Sequence, residues 1–181
     1  MYVSSRQGYK PPVKSTGRGK KYSHFASLKY CNGAETFYTY DPLRGKAAGQ
    51  GRALLIMFAD MDRLKYINDT YGHEFGDKAI RNAARAVAGG GGISSIPVRY
   101  GGDEFVSISI YDEDETPEER KAAILEKARE IAAQEKLPFE LEFSIGYVIT
   151  DPDGDKTLEE YVREADHSMY QEKMQRRISR Q

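Results

Sequence analysis

The sequence predicts a mixed α/β protein of the ferredoxin-like, palm-type class, in which helices pack around a central, mostly antiparallel sheet. With 181 residues, 39% of them hydrophobic, the chain can form one sizeable core. From residue 51 onward its apolar segments follow the order strand, helix, helix, strand, strand, helix, strand, helix. This is the element order of a split β-α-β core, and a double glycine between the second and third strands predicts a hairpin there.

The first half of this core is predicted from apolar runs and glycines. Residues 53–59 (ALLIMFA) form a continuous apolar run, as expected for a strand that is covered on both faces. A short helix over 62–71 should end near Gly72, and Asp77 is placed to cap a second helix that the glycines of 89–92 stop. The next two strands are predicted at 96–100 and 105–110. A tight turn between them would use positive φ at both Gly101 and Gly102.

The second half shows clearer periodicity. Thr116 and Glu119 have the spacing of a capping box, and apolar residues recur on one face up to residue 134, which predicts a long amphipathic helix. Residues 139–149 alternate as a strand, and the Asp-Pro-Asp-Gly sequence from Asp151 predicts a turn. The last helix should run from about 157 to 173.

The first fifty residues differ from the rest in composition. They carry a net charge of +7, against −8 for residues 51–181. Residues 1–21 are rich in Gly, Pro, Ser and basic residues, which predicts disorder, whereas a short strand is expected at 35–40 and a loop at 41–51. We therefore divide the chain into a basic, partly disordered segment (1–50) and a globular domain (51–181). A basic segment can contact nucleic acid or anionic lipid, but a solubilising linker is the simpler interpretation, and no nucleic-acid partner is expected.

Several classes of function are excluded. No apolar run is long enough for a membrane span, and the first thirty residues lack the apolar stretch of a secretory signal, so we expect a cytoplasmic protein. Cys31 is the only cysteine, which rules out an intrachain disulfide and a thiolate zinc cluster.

Two acidic pairs stand at strand ends. Asp60 and Asp62 flank Met61 after the first strand, and Asp103 and Glu104 follow the double glycine. If these strands are neighbours, Asp60 and Asp103 converge, and hard oxygen ligands with room for substrate phosphates suit Mg²⁺. Taken alone, each pair is more simply explained as solvated turn residues.

Polar residues between and after these pairs suggest a nucleotide. Asn68, Asp69, His73 and Asp77 form a polar series across the junction of the two short helices, and an Asn amide together with an Asp carboxylate could hydrogen-bond the edge of a guanine. Lys173 and Arg177 are four residues apart on the last helix, so they share a face that could bind a polyphosphate. The alternative is an ordinary basic helix end that complements the helix dipole.

These residues resemble a known family. Residues 99–105 (RYGGDEF) reproduce the characteristic motif of GGDEF domains, the diguanylate cyclases. Residues 60–77 resemble the second long motif of that family, while 143–146 (FSIG) and 165–173 (ADHSMYQEK) resemble two later blocks. The resemblance covers residues 51–177, with several motifs in order.

The resemblance implies a reaction and a role for each matching residue. Two GTP molecules would condense to cyclic di-GMP and two pyrophosphates across an antiparallel homodimer. It implies Mg²⁺, with Mn²⁺ as an alternative, bound by Asp60, the Met61 carbonyl, Asp103 and Glu104. Glu104 would also be the general base and Lys65 would stabilise transition-state charge. Asn68, His73 and Asp77 would bind the nucleoside part of GTP, and Lys173 and Arg177 its γ-phosphate.

The departures from the family pattern define a second hypothesis. Gly92–Ser95 stands where the family has an inhibitory Arg-x-x-Asp site, so product feedback through that site should be absent. Arg176 replaces the usual Gly before Arg177. The helix that normally precedes the first strand is missing or replaced by residues 22–40, and the sequence indicates no sensor domain. The alternative to an active cyclase is therefore a catalytically silent, GTP-binding regulatory domain.

Overall fold

The computed structural model describes residues 28–29, 35–36, 47, 50–92 and 95–179. The predictions for residues 1–21, and most of those for 22–50, lie outside these residues. The strands are β1 (Leu28–Lys29), β2 (Glu35–Thr36), β3 (Leu54–Met61), β4 (Ile96–Arg99), β5 (Glu104–Ile110) and β6 (Phe143–Ile149). The helices are α1 (Leu64–Tyr71), α2 (His73–Gly90), α3 (Pro117–Gln134) and α4 (Leu158–Ser179). The element order from β3 to α4 confirms the predicted fold class.

The sheet has the strand order β2-β1-β4-β5-β3-β6, and all of its neighbours are antiparallel. β3 is central: its last residues pair with the first residues of both β5 and β6, as Asp60 does with Glu104 and Met61 with Phe143. The end of β3, the start of β5 and the start of β6 therefore meet at one end of the sheet.

Each face of the sheet has its own hydrophobic cluster. Side chains from β3, β5 and β6 such as Met57, Phe105 and Phe143 pack against α1, α2 and α3 on one face. On the other face, Phe58 and its neighbours pack against α4. Alternation of side chains along the strands sends successive residues to opposite faces, so a continuous apolar run is buried on both sides. The prediction that residues 53–59 form a doubly covered strand is confirmed.

Helix boundaries agree with the sequence at most ends. Thr116 caps α3, because its hydroxyl accepts from the Glu119 amide while the Glu119 carboxylate accepts from the Thr116 amide. α4 begins as predicted but extends to Ser179, six residues beyond the expected end. The turn at Asp151 is confirmed by a hydrogen bond from the Gly154 amide to the Asp151 carbonyl, 3.2 Å.

Four local predictions are wrong. Asp77 does not cap α2, which begins at His73; Gly72, with a φ of 88°, separates α1 from α2 and takes the cap position. Neither Gly101 nor Gly102 has a positive φ, because residues 100–103 form a wider loop between β4 and β5 than a two-residue turn. Ala47, expected in a loop, is helical and buried.

The fourth error concerns the start of β6, which begins at Phe143 rather than at residue 139. The neighbouring strand β3 ends at Met61, opposite Phe143, so residues 139–142 have no strand beyond that point with which to pair. Phe139 instead packs against the rings of Tyr71 and Phe75. The alternation of residues 139–145 reflects burial of alternate side chains, which continues outside the strand.

Four described residues, Leu28–Lys29 and Glu35–Thr36, lie upstream of the core. These two short strands form an antiparallel pair, and Lys29 pairs with Arg99 at the β4 edge of the sheet. These four residues extend the sheet, and the other residues of 22–40 lie outside the described part of the chain. None of the helices in the described residues is long and apolar enough to cross a membrane.

Candidate active site

The acidic residues predicted to converge do so at the end of β3. Asp60 lies directly opposite Glu104 in the β3–β5 ladder. The Met61 amide donates to the Asp103 carbonyl, 2.9 Å, which fixes the loop against the strand end. Since the N–H and C=O of a strand residue lie on the same side, the Met61 carbonyl is also directed toward this loop. The structure thus brings Asp60, Met61, Asp103 and Glu104 together.

The two glycines before Asp103 provide space. A Cβ at Gly101 would lie 2.4 Å from Oε2 of Glu104, so a side chain there would displace that carboxylate. A Cβ at Gly102 would have no atom within 4 Å. The absence of a side chain at Gly101 therefore leaves room for the Glu104 carboxylate, and Gly102 leaves open space beside the acids.

Burial and repulsion from neighbouring acids make two of these carboxylates, Asp60 and Glu104, harder to ionise. Desolvation by burial raises the pKa of Asp60, against the lowering effect of the Lys173 ammonium, and Asp103 and Asp62 raise it further. The pKa of Glu104 is also raised, first by burial and then by the charges of Asp60, Asp103 and Asp166. A cation that binds beside these partly desolvated, mutually repelling carboxylates therefore stabilises their ionised form.

The last helix supplies the positive charge nearest these acids. The Lys173 ammonium donates to Oδ1 of Asp60 at 2.6 Å and lies 3.7 Å from Oδ1 of Asp62. Ser144 donates to the Asp62 carboxylate at 3.0 Å. Arg176 lies 3.8 Å from Asp62 and donates to the Phe143 carbonyl at 2.6 Å. These contacts attach α4 to the ends of β3 and β6.

The predicted nucleoside residues form a second group. The Asn68 side chain lies against Gly76, where a Cβ would come within 1.9 Å of its Oδ1. The Asn68 amide therefore lies beside Gly76, the residue that directly precedes Asp77. The side chains of Lys65, His73 and Asp77 are exposed. Only Asp62 and Arg63 separate β3 from α1, so this group begins immediately after the acids along the chain. The side chain of Arg177 lies outside the described residues.

The donor set suits a hard divalent cation that also binds substrate. Within residues 50–92 and 95–179, no three His, Cys, Asp or Glu side chains form a metal-binding group of their own. Mg²⁺ in phosphate-transferring sites is held by one or two carboxylates and completes its shell with phosphates and water. Asp60, Asp103 and the Met61 carbonyl, beside the open space at Gly102, fit that description.

Sequence reasoning missed Ser144 and Arg176 as neighbours of the site. Ser144 lies in the FSIG block, but its contact with Asp62 depends on the β3–β6 register, which no local pattern encodes. For Arg176, the sequence showed only that it replaces the Gly usual in the family, and this gave no indication of a contact with Asp62. A cavity of about 720 Å³ between α3 and residues 137–143 has Arg176 on its wall but none of the predicted site residues.

Comparison with known proteins identifies the family of this chain. The sequence model described as "Diguanylate cyclase, GGDEF domain" matches residues 40–179. The chain is 36% identical over 129 residues to the diguanylate cyclase DgcN of Escherichia coli K12, which covers 67% of this chain and 30% of that protein. It is 32% identical over 143 residues to the response regulator PleD of Caulobacter vibrioides, covering 74% and 30% respectively.

Solved structures share the fold. A sensory box/GGDEF family protein from Caulobacter crescentus CB15 superimposes with a TM-score of 0.60 and 26% identity, over 73% of this chain and 85% of that one. The chain spans about a third of the length of the two curated relatives named above. A family match over most of the sequence, together with the converging acids, shows that this chain belongs to the GGDEF family of diguanylate cyclase domains.

Proposed function

We propose that this chain is a diguanylate cyclase, which condenses two GTP molecules into cyclic di-GMP and two pyrophosphates across a homodimer. One observation carries the proposal: Asp60, Met61, Asp103 and Glu104 meet at one end of the sheet, beside the open space at Gly102. The raised pKa of the half-buried Glu104 beside these ligands suits a group that accepts a proton, which supports the cyclase over a domain that only binds nucleotide.

Glu104 is the general base in this proposal. It accepts the proton of the 3′-hydroxyl as that oxygen bonds to the α-phosphorus of the second GTP, and the bond to pyrophosphate breaks. Because burial and neighbouring acids raise its pKa, Glu104 is a stronger base than an ordinary carboxylate. Turnover should therefore fall on the acidic side as Glu104 is protonated, at a pH above that of an unperturbed Glu.

The other predicted site residues bind the metal ion or offset the negative charge of the phosphates. Mg²⁺ or Mn²⁺, when bound at Asp60, Asp103 and the Met61 carbonyl, offsets negative charge on the α-phosphate oxygens. Lys65 stabilises the charge that develops in the transition state, while Lys173 and Arg177 bind the γ-phosphate. These roles rest on the family motifs, and for Lys173 also on its position beside Asp60.

Asn68 and Asp77 select guanine. The Asp77 carboxylate accepts from the ring N–H and amino group of guanine while the Asn68 amide donates to its carbonyl, and His73 contacts the nucleotide nearby. The contact of Asn68 with Gly76 supports this assignment, because it brings the amide beside the turn of α2 that carries Asp77. Adenine presents the opposite donor and acceptor pattern.

The test compares the parent chain with Glu104→Gln in two assays, GTP binding by calorimetry and product formation with Mg²⁺. We expect turnover to fall by at least about 10³-fold while GTP binding changes little, since the amide keeps the shape but cannot take the proton. Undiminished turnover in Glu104→Gln would refute the role of Glu104. Saturable GTP binding without product in the parent would instead identify a silent GTP-binding domain.

A further inference from the structure

Lys173 occupies the position of a counterion at the proposed metal site. Its ammonium contacts Oδ1 of Asp60 at 2.6 Å, and its side chain is 24% exposed while that of Asp60 is 14% exposed. A second acid, Asp62, lies 3.7 Å away and is 15% exposed. The pair is thus partly withdrawn from water, where charge-assisted hydrogen bonds are stronger than at an open surface.

The surroundings hold the ammonium at this position. Three residues after Lys173, Arg176 donates to the Phe143 carbonyl, and Arg176 also pairs with Glu172 at 2.8 Å. Ser144 orients Asp62 toward the same helix. The end of α4 is therefore attached to β3 and β6 in a way that directs Lys173 at Asp60.

A divalent cation bound to Asp60 competes with this arrangement. The Lys173 ammonium already lies at hydrogen-bond distance from Oδ1 of Asp60, and a metal ion on either oxygen of the same carboxylate would lie close enough for the two cations to repel each other strongly. Metal binding therefore favours the state in which Lys173 has moved away. The lysine has a flexible four-carbon stem and can move away without any change in the backbone.

We propose that Lys173 is a latch on the metal site: at rest it neutralises Asp60, a divalent cation displaces it, and the released ammonium then binds the phosphates of the nucleotide. This inference rests on the proposed function, because it takes Asp60 as the metal ligand. Metal and nucleotide binding are then coupled, since each favours the state in which Lys173 has left Asp60.

The first test measures the reactivity of Lys173 in the parent chain. Rates of lysine acetylation by an amine-reactive reagent are measured by mass spectrometry under three conditions: without metal, with Mn²⁺, and with Mn²⁺ plus a GTP analogue. In this analogue a methylene group replaces the oxygen between the α- and β-phosphates, so it cannot release pyrophosphate. Mn²⁺ alone should accelerate labelling of Lys173, and the nucleotide should then suppress it. Lys121, which is 17% exposed and paired with Glu172 and Glu118, is the internal control and should not respond.

The second test measures Mn²⁺ affinity in the absence of nucleotide. Lys173→Gln should bind Mn²⁺ about tenfold more tightly than the parent, the scale of one charge-assisted hydrogen bond, and should bind nucleotide more weakly. Arg63→Gln is the control, because it removes a positive charge three residues from Asp60, from a side chain that lies over the Tyr66 ring.

The outcomes separate the latch from the cyclase. If Mn²⁺ binds but Lys173 labelling is unchanged, or if Arg63→Gln tightens Mn²⁺ binding as much as Lys173→Gln, the latch is overturned and the cyclase proposal stands. If neither the parent nor Lys173→Gln binds Mn²⁺ without nucleotide, no metal displaces Lys173 and the latch is overturned, whereas the cyclase proposal is decided separately by product formation from GTP and Mg²⁺.

Discussion

At the scale of single residues, the proposed site is built at a cost to stability. Asp60 and Glu104 are both harder to ionise in the fold than in an unfolded chain, because burial raises their pKa values. An acid with a raised pKa binds more protons in the folded state, so folding stability falls as pH rises through its titration. The residues that serve the chemistry should therefore limit the stability of the domain at neutral pH.

Glu104→Gln should accordingly stabilise the fold at pH 7 while it abolishes turnover. The destabilising effect of Glu104 is fully present above its raised pKa and disappears below the ordinary Glu value of 4.5. We expect a higher midpoint of thermal unfolding than the parent at pH 7 and no difference near pH 3.5. Glu113→Gln, at an exposed loop acid, is the control; a lower midpoint for Glu104→Gln at pH 7 would contradict the account.

Asp77→Ser should relax the choice of base. The hydroxyl of Ser cannot accept from both guanine donors at once, so we expect the preference for GTP over ATP to fall by about tenfold or more, as for loss of a bidentate contact. Competition between the two nucleotides measures this, with Asp69→Ser, an exposed acid on α1, as control. An unchanged preference for GTP would refute the assignment of Asp77.

The residues of the site could be predicted from the sequence, but their pairing could not. The acids and glycines form local motifs whose chemistry is readable, whereas the Lys173–Asp60 contact joins positions 113 residues apart. It depends on where α4 crosses the sheet. The same holds for the contacts with Asp62: that of Ser144 requires the β3–β6 register, and that of Arg176 again requires the position of α4 on the sheet.

At the scale of secondary structure, the contact of β6 with α4 depends on one small residue. A Cβ at Gly146 would lie 2.0 Å from the Met169 amide nitrogen and 2.3 Å from the Ala165 carbonyl oxygen. These are backbone atoms, which cannot move aside as a flexible side chain does. Gly146 is required for close approach of helix and strand rather than for a positive φ.

Gly146→Ala should therefore lower the free energy of unfolding by about 3 kcal/mol, at the upper end of overpacking costs in cores. Urea denaturation measures this. Gly102→Ala is the matched control and should be nearly neutral for stability, because a Cβ there meets no atom within 4 Å. Equal stability of Gly146→Ala and the parent would show that α4 does not approach β6 as closely as described here.

Elements were predicted best where one local rule decides them. The capping box of Thr116 and the apolar run of β3 needed no tertiary information. The start of β6 was misjudged because strand pairing, not alternation, sets where a strand begins. Asp77 was misjudged as a cap because the positive φ of Gly72 allows α2 to start at once after α1.

At the scale of the whole molecule, topology places the site. The order β4-β5-β3-β6 puts the central strand β3 between the two strands whose starts carry Glu104 and Ser144. No local pattern specifies this order. The order of elements predicted the fold class, which limits the folds available, but it left the adjacency of β3 and β5 as a condition. The division of the chain at residue 50 stays a prediction, since most of residues 1–50 lie outside the described part.

The whole-molecule claim is that this chain, as it stands, makes cyclic di-GMP. The most direct measurement incubates the purified chain with GTP and Mg²⁺ and identifies the products by chromatography and mass spectrometry, with Glu104→Gln in parallel. The same chain fused to a dimeric coiled coil brings two sites together if the free chain is monomeric. We expect cyclic di-GMP and two equivalents of pyrophosphate from the parent sequence and none from Glu104→Gln. Saturable GTP binding without product, in both the free and the forced dimeric chain, would contradict the cyclase account.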